Sequence, residues 1–167
     1  MAAADLTVSR LREVISYDPE TGVFRWKVRL MMKAPAGSVA GANNGRGYLA
    51  TRIDGHSIKL HRLAFVFMTG EWPKNEVDHI NGVKDDNRWF NLRDVDRTTN
   101  TQNLRRARKD NLSSGLMGAY WDPKCQAWRS SIQTDGKIIG LGRFNSAADA
   151  NAAYLEAKRR LHQGCTI

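Results

Sequence analysis

The stretch EVDHINGVKDDNRWFNLRDVDRTTNTQN, residues 76–103, decides how this chain is interpreted. It holds an adjacent Asp78-His79 pair, then Asn91 twelve residues after the histidine, then Asn100 nine residues further on. A carboxylate beside an imidazole, followed by amides at these offsets, suits metal-assisted cleavage of a phosphodiester. Each residue type alone is common at protein surfaces, so the interpretation depends on the spacing as a whole.

The same stretch predicts a short supersecondary unit in the order strand, loop, strand, helix. Adjacent strand residues point to opposite faces, so a site that uses both Asp78 and His79 requires a twist or bulge where the first strand ends. Asn81-Gly82 is a suitable place for it. The expected bounds are strand 77–80, polar loop 81–90, strand 92–95, and a helix capped by Thr98 that continues to about Leu104.

The chemistry of each side chain suggests a role. Neutral His79 can take a proton from a water molecule that attacks phosphorus, because imidazole titrates near neutral pH. Asp78 offers a hard oxygen ligand to one Mg²⁺ or Mn²⁺ ion, and Asn100 offers a carbonyl oxygen to the same ion. Asn103, one helical turn further, is a rival for that second position. Asn91 is better interpreted as a structural residue that bridges backbone groups and holds the histidine strand in place.

These residues resemble the HNH endonucleases of the phage and intron homing type, a family with the ββα-metal fold. The resemblance implies that His79 activates water, that Asp78 and Asn100 bind one divalent ion, that Asn91 pins the loop, and that products carry 5′-phosphate and 3′-hydroxyl ends. Asn100 stands where other members have histidine, which matches the one-ion homing subgroup, and no structural zinc is expected. The residues that carry the resemblance are Asp78-His79, Asn81-Gly82, Asp86-Asn87-Arg88, Asn91-Leu92 and Asn100, with His61-Arg62-Leu63 upstream.

Two neighbouring side chains have alternative interpretations. His61 is favoured as a satisfied, half-buried histidine at the start of a helix rather than as a site residue. Arg88 either clamps a DNA phosphate in bidentate fashion or pairs with Asp85 or Asp86.

Charge and cysteine content narrow the class of protein. The 167-residue chain carries a formal net charge of +9, which favours a polyanionic partner, here double-stranded DNA, over a membrane. Residues 61–100 carry a net charge of −1, whereas residues 1–60 carry +4 and residues 101–167 carry +6, so acidic groups coincide with the expected metal and basic groups flank it. With two cysteines and no signal-peptide pattern at the start, a reduced, cytoplasmic protein is expected, in the host cell if phage-encoded.

The chain is expected to be α+β, with a ββα-metal core followed by a separate C-terminal module. Ahead of the core we expect a helix over 6–15 capped by Asp5 or Thr7, a strand over 23–28, a loop over 34–47, a hairpin over 48–60 turning at Asp54-Gly55, and a helix over 61–68. The domains are expected to be an N-terminal α+β supporting region 1–60, the nuclease core 61–104, a basic linker 105–114 and a DNA-binding module 115–167.

The C-terminal segment predicts three strands, over 116–121, 127–134 and 137–144, and a helix over 146–162 capped by Ser146. It resembles the DNA-binding domain of plant ethylene-response factors (the Apetala/ERF type), on Ser114-Gly115, Gly118, Trp121, Trp128, Ile132, Gly136-Lys137, Leu141-Gly142, Phe144, Ala153-Tyr154 and Ala157. That family lays its sheet in the major groove, which is wide enough for strands. With Arg88, the DNA-binding residues are expected to be Arg105, Arg106, Tyr120, Trp121, Arg129, Ser131, Gln133 and Lys137. Tyr120, Asp122, Gln133 and Ile138 replace arginines of the plant pattern, so the plant target sequence is not expected.

The favoured interpretation is a site-specific homing endonuclease. A DNA-binding regulator with an inactive nuclease motif is the alternative, and an RNA-binding protein is weaker because no aromatic RNA-stacking signature is evident. A monomer would nick one strand, whereas a homodimer could cut both. A fragment that ends near Ser113 is expected to cut with poor selectivity.

Overall fold

A computed structural model describes residues 6–30, 34–108 and 111–167. Its contacts divide the chain into two compact units, Met1–Asp96 and Arg97–Ile167. The division lies ahead of the basic linker expected at 105–114, so the helix that follows the Asp78-His79 strand belongs to the second unit. Both units mix helices with small antiparallel sheets, which is compatible with an HNH domain.

The described residues of the first unit form three antiparallel sheets, β1-β2, β3-β4-β5 and β6-β7. Its apolar core is formed by one face of each of the two helices and by the inner residues of the strands. In chain order the elements are α1 (Val8–Val14), β1 (Ile15–Tyr17), β2 (Phe24–Trp26), β3 (Ala42–Asn43), β4 (Leu49–Ile53), β5 (His56–Lys59), α2 (Leu60–Thr69), β6 (Glu76–His79), a 3₁₀ turn (Trp89–Asn91) and β7 (Leu92–Val95).

Local sequence chemistry explains several of these bounds. Thr7 caps α1 by accepting a hydrogen bond from the Arg10 backbone N–H at 3.2 Å, and the other expected cap, Asp5, lies outside the described residues. The β4–β5 hairpin turns at Asp54 and Gly55, whose φ angles of 46° and 85° are both positive, as a tight primed turn requires. α2 ends at Gly70 in the left-handed conformation. β1 was not expected, because its apolar residues also continue the helical spacing of α1.

The second unit packs one long helix against all three strands of a sheet ordered β10-β9-β8. β9 and β10 have the predicted bounds, while β8 starts three residues later than predicted because Gly118 has a φ of 68°. The Ser146 hydroxyl caps the long helix, as predicted. Thr98, however, lies within the first helix of the unit rather than capping it. The elements are α3 (Arg97–Gln102), β8 (Ala119–Asp122), β9 (Ala127–Thr134), β10 (Lys137–Phe144) and α4 (Ala147–Leu161).

The end of the chain packs on α3. The Gly164 N–H donates to Gln102 Oε1 at 2.9 Å, and the Thr166 hydroxyl donates to Asn103 Oδ1 at 2.5 Å. Gly164 lies directly against the backbone carbonyl of Thr99, so a side chain there would collide with α3. The tail therefore holds α3 in place within the second unit.

No helix in the described part of the chain is both long enough and apolar enough to cross a membrane.

Candidate active site

β6 carries the two central side chains, and they have different partners. Asp78 lies opposite Arg93 of β7, and its Oδ2 accepts hydrogen bonds from Arg93 Nε at 3.0 Å and Nη2 at 2.8 Å. Only 7% of Asp78 is exposed, and the guanidinium compensates the cost of burying its carboxylate. Sequence analysis missed Arg93, because only the register of β6 against β7 reveals that it faces Asp78.

The strand that holds Asp78 and His79 is regular. Every residue of β6 pairs in sequence with one of β7, so the bulge expected there does not occur. β6 ends in a tight turn in which the Gly82 N–H donates to the His79 carbonyl at 2.8 Å. His79 is thus the last residue of the strand.

The hydrogen bond of His79 identifies the nitrogen that can act as a base. His79 Nε2 lies 3.3 Å from Asn87 Oδ1, while the amide nitrogen of Asn87 points to the carbonyl of Asp85 at 3.3 Å. An amide oxygen only accepts, so Nε2 carries the proton and the lone pair of the neutral ring is on Nδ1. Burial lowers the pKa of His79, with the Asn87 contact opposing part of that effect. The ring is therefore neutral at neutral pH, with a lone pair on Nδ1 that can accept a proton.

Two more rings surround His79. The centroid of His61 lies 5.0 Å from that of His79 in an edge-on arrangement, and the Tyr48 ring lies 5.1 Å from His61 and 5.9 Å from His79. His61 is 3% exposed rather than half-buried, and its Nδ1 has no hydrogen-bond partner among the described residues. Burial, reinforced by His79, lowers its pKa to about 3, so it is neutral. The uncharged His61 ring therefore lines one side of the site.

Asn91 connects the two ends of the 81–91 loop. Its Oδ1 accepts from the Asn81 N–H at 2.9 Å, and its Nδ2 donates to the Asp86 carbonyl at 2.8 Å. Arg88 forms two hydrogen bonds to the Asp86 carboxylate, at 2.7 and 2.6 Å, and holds the pKa of Asp86 down at about 2. Of the two alternatives for Arg88, the structure shows pairing with Asp86. These contacts give the loop a fixed shape.

The N-terminal part of the first unit supports the backbone of Asn87. The Tyr17 hydroxyl donates to the Asn87 carbonyl at 2.7 Å, and the Trp89 N–H donates to the Pro19 carbonyl at 2.9 Å. Gly22, with a φ of 74°, leaves the room that this approach needs, because a Cβ there would lie 2.5 Å from the Arg88 nitrogen.

We expect Gly22→Ala to lower both stability and cleavage. The added methyl group pushes on the Asn87–Arg88 backbone and so displaces the partner of His79, at a cost of about 1–3 kcal/mol in the free energy of unfolding. Chemical denaturation and cleavage rates measure the two effects. Gly37→Ala is the control, because Gly37 also has a positive φ (82°) but nothing within 4 Å. If both variants lose the same stability and the same cleavage rate, strain from the left-handed backbone conformation is the cause, and the contact with Asn87–Arg88 is not.

The residues predicted to bind the metal ion are few, and their side chains have hard-oxygen donors. Among the described residues, no group of three or more His, Cys, Asp or Glu side chains is arranged to hold a metal ion. The predicted set, one carboxylate and one amide oxygen, nevertheless has the hard-oxygen chemistry that Mg²⁺ accepts, since this ion keeps few protein ligands. Asn103 is 5% exposed, and its carbonyl oxygen accepts from Thr166. That bond gives Asn103 a structural partner at the end of the chain.

The predicted DNA-binding residues of the sheet divide between its two faces. Tyr120 lies opposite Arg129, and Ser131 and Gln133 follow at alternate positions of β9, so these four share one face. Trp121 lies opposite Trp128 on the other face, with ring centroids 5.4 Å apart.

The remaining basic candidates also have defined places. Lys137 lies opposite Thr134, on the Trp121 side of the sheet. Arg129 pairs with Asp122 at 3.0 Å, and Arg105 donates to the Thr166 carbonyl at 3.0 Å. Arg106 lines an open cavity of about 810 Å³ within the second unit.

A neutral imidazole beside a buried carboxylate can take part in general-base hydrolysis of a phosphodiester. The comparison with protein families makes this specific, because residues 59–105 match the model of the HNH endonuclease family. No curated protein and no solved structure matches the chain significantly. The matched segment runs from Lys59 to Arg105 and contains Asp78, His79 and Asn100. It supports an HNH nuclease with DNA as substrate, and such nucleases generally use a divalent metal ion.

Proposed function

We propose that this protein is a site-specific DNA endonuclease of the homing type, encoded by a phage, with His79 as its general base. The observation that carries the proposal is the hydrogen bond from His79 Nε2 to Asn87, because it leaves the lone pair of a buried neutral imidazole on Nδ1. The match of residues 59–105 to HNH endonucleases supports the same chemistry.

The reaction uses His79 to move one proton. A water molecule gives a proton to Nδ1 as its oxygen bonds to phosphorus, and the bond from phosphorus to the 3′ oxygen breaks. The 3′ oxygen then takes a proton from solvent, which leaves 5′-phosphate and 3′-hydroxyl ends. Asn87 fixes the tautomer of His79, and Asn91 fixes the loop that carries Asn87.

Asp78 and Asn100 are the residues we propose to hold one Mg²⁺ or Mn²⁺ ion. Such an ion supplies stabilisation of the negative charge that develops on the phosphate and on the leaving oxygen. The hard oxygens of these side chains suit either ion, and no structural zinc is part of the proposal.

Site selection is proposed for the second unit. Tyr120, Ser131 and Gln133 share one face of the sheet, and this face is proposed to contact base edges in the major groove in the manner of the Apetala/ERF domains. Arg106, together with the basic residues around it, is proposed to contact phosphates.

Removal of divalent ions tests the proposal directly. We expect supercoiled plasmid to be cut with Mg²⁺ or Mn²⁺ present and to stay intact with EDTA, and we expect restored cutting when the ion is returned in excess. Sequencing of the ends cut from a random library gives the target and shows whether one or both strands break. Ends with a 3′-phosphate would contradict the mechanism, and cutting that persists in EDTA would contradict the requirement for a metal.

A further inference from the structure

Two lysines converge on the Tyr48 ring next to the histidine pair. Lys59 Nζ lies 4.7 Å and Lys84 Nζ 4.8 Å from the centroid of that ring. The same ring lies 5.9 Å from the ring of His79. Two ammonium groups from segments distant in sequence thus lie over one ring, which is itself 5.9 Å from the ring of the candidate base.

The two positive charges are held without being neutralised. Neither lysine forms an ion pair with a carboxylate in the part of the chain that the structure describes, and both side chains are exposed. An aromatic face attracts an ammonium through its quadrupole but carries no net charge, so the ammonium remains available to an anion. A carboxylate in the same place would have cancelled the charge.

Backbone features fix the positions of both lysines. Lys59 is the last residue of β5, paired with Ala50 of β4, and Tyr48 directly precedes β4. Lys84 reaches across from the 81–91 loop, and its Nζ also donates to the Arg46 carbonyl at 3.2 Å. A Cβ on Gly47 would make ordinary van der Waals contact with Lys84 Cδ at 3.4 Å, so the lysine stem runs directly along this backbone.

We propose that Tyr48, Lys59 and Lys84 form a subsite that binds a backbone phosphate of the DNA substrate beside His79. The inference rests on the proposed function, since it takes the phosphodiester backbone as the ligand. Tyr48 acts as a positioning residue that aligns the two lysines. The lysines bind the strand and take no part in proton transfer.

The tyrosine has the properties that this role requires. Its ring is half-buried, and burial, with the nearby carboxylates of Asp78 and Glu76, raises its pKa. The phenol therefore stays neutral and adds no negative charge that would repel a phosphate. The positioning role depends on the aromatic face alone, so phenylalanine should serve in place of Tyr48.

Salt-dependent DNA binding tests the subsite without cleavage. Full-length protein carrying His79→Ala is compared with the same protein carrying Lys59→Met and Lys84→Met as well, on a labelled DNA duplex of random sequence at several salt concentrations. Each lysine that contacts a phosphate contributes about 1 to the slope of log K against log salt, so we expect the slope to fall by about 2 in magnitude. Lys27→Met, which removes one exposed lysine bonded to the Arg12 carbonyl, is the control for loss of a surface charge elsewhere and should change the slope little.

Exchange of the ring separates positioning from net charge. Tyr48→Phe should keep the slope, whereas Tyr48→Leu should lower it although no charge is lost. Lys84→Arg should restore most of the binding lost in Lys84→Met. In the cleaving protein with His79 intact, the double lysine change should raise KM with little change in kcat.

An unchanged slope in the double variant would overturn the subsite, and so would a loss equal to that of Lys27→Met. The outcome is separate from that of the proposed function. If the wild-type protein does not cut DNA but the slope falls as expected, the subsite stands and the endonuclease assignment fails. If the wild-type protein cuts and the slope is unchanged, the endonuclease assignment stands and the subsite fails.

Discussion

His79→Ala should lower the rate of plasmid cleavage by about 10²–10⁴-fold in the presence of Mg²⁺ or Mn²⁺. The reason is the loss of the only group proposed to take the proton of the attacking water. Supercoiled plasmid is incubated with enzyme in excess, and the appearance of nicked and linear forms gives the rate. The hydrogen bond from His79 to Asn87 is made by the imidazole ring, so the backbone pairing of β6 with β7 should persist in the variant.

A histidine outside the site provides the matched control. His56 lies in the β4–β5 hairpin, where its Nδ1 contacts the Asp54 carbonyl at 3.0 Å, and His56→Ala should leave cleavage unchanged. Equal rates for the wild type and His79→Ala would show that the proposed base is wrong. If the wild type binds its DNA tightly but does not cut under any metal condition, the alternative of a DNA-binding regulator is correct.

A chain that ends after Ser113 should lose cleavage as well as site selectivity. The sequence alone predicts a fragment that still cuts, because the nuclease motif is complete by Asn103. In the structure, however, α3 depends on the end of the chain: Gly164 and Thr166 bind Gln102 and Asn103. Without these contacts α3 no longer holds Asn100, the proposed metal ligand, in position, and misplacement by about 1 Å can cost about 10²-fold in rate.

Gly164→Val in the full chain tests the same contact without removing the sheet. A side chain at this position meets the Thr99 carbonyl, so α3 should lose amide protection in hydrogen exchange and non-specific cleavage should fall. Gly140→Ala is the control, because a Cβ there meets nothing within 4 Å. If the fragment ending at Ser113 and Gly164→Val both cut at the wild-type rate, the tail has no part in placing α3.

Local patterns allowed much of the fold to be predicted. The bounds of β9 and β10 follow from alternating side chains on the two sides of the Asp135-Gly136 turn, and the β4–β5 hairpin and the Ser146 cap follow from equally local rules. The family resemblance was also predictable, because Asp78, His79, Asn91 and Asn100 lie close together in one stretch of the sequence, within the matched residues 59–105.

Contacts between distant segments could not be predicted in this way. Arg93 faces Asp78 only because of one strand register, and α3 packs on a tail about sixty residues later. Lys59, Lys84 and Tyr48 come from three segments whose approach no spacing rule indicates. Asn87 was recognised as part of the motif, but its bond to His79 depends on how the loop returns to the strand.

The Asp78–Arg93 pair has a consequence for the stability of the metal-free protein. A buried carboxylate without a positive neighbour would be costly, and the guanidinium supplies one from within the chain. The polypeptide can therefore fold and persist in ion-poor surroundings with its acidic group already compensated. In the proposed metal site, a divalent ion bound at Asp78 would replace this positive neighbour with a stronger one. Replacing Arg93 is therefore expected to tighten binding of the ion in a calorimetric titration and to lower the unfolding temperature measured in EDTA.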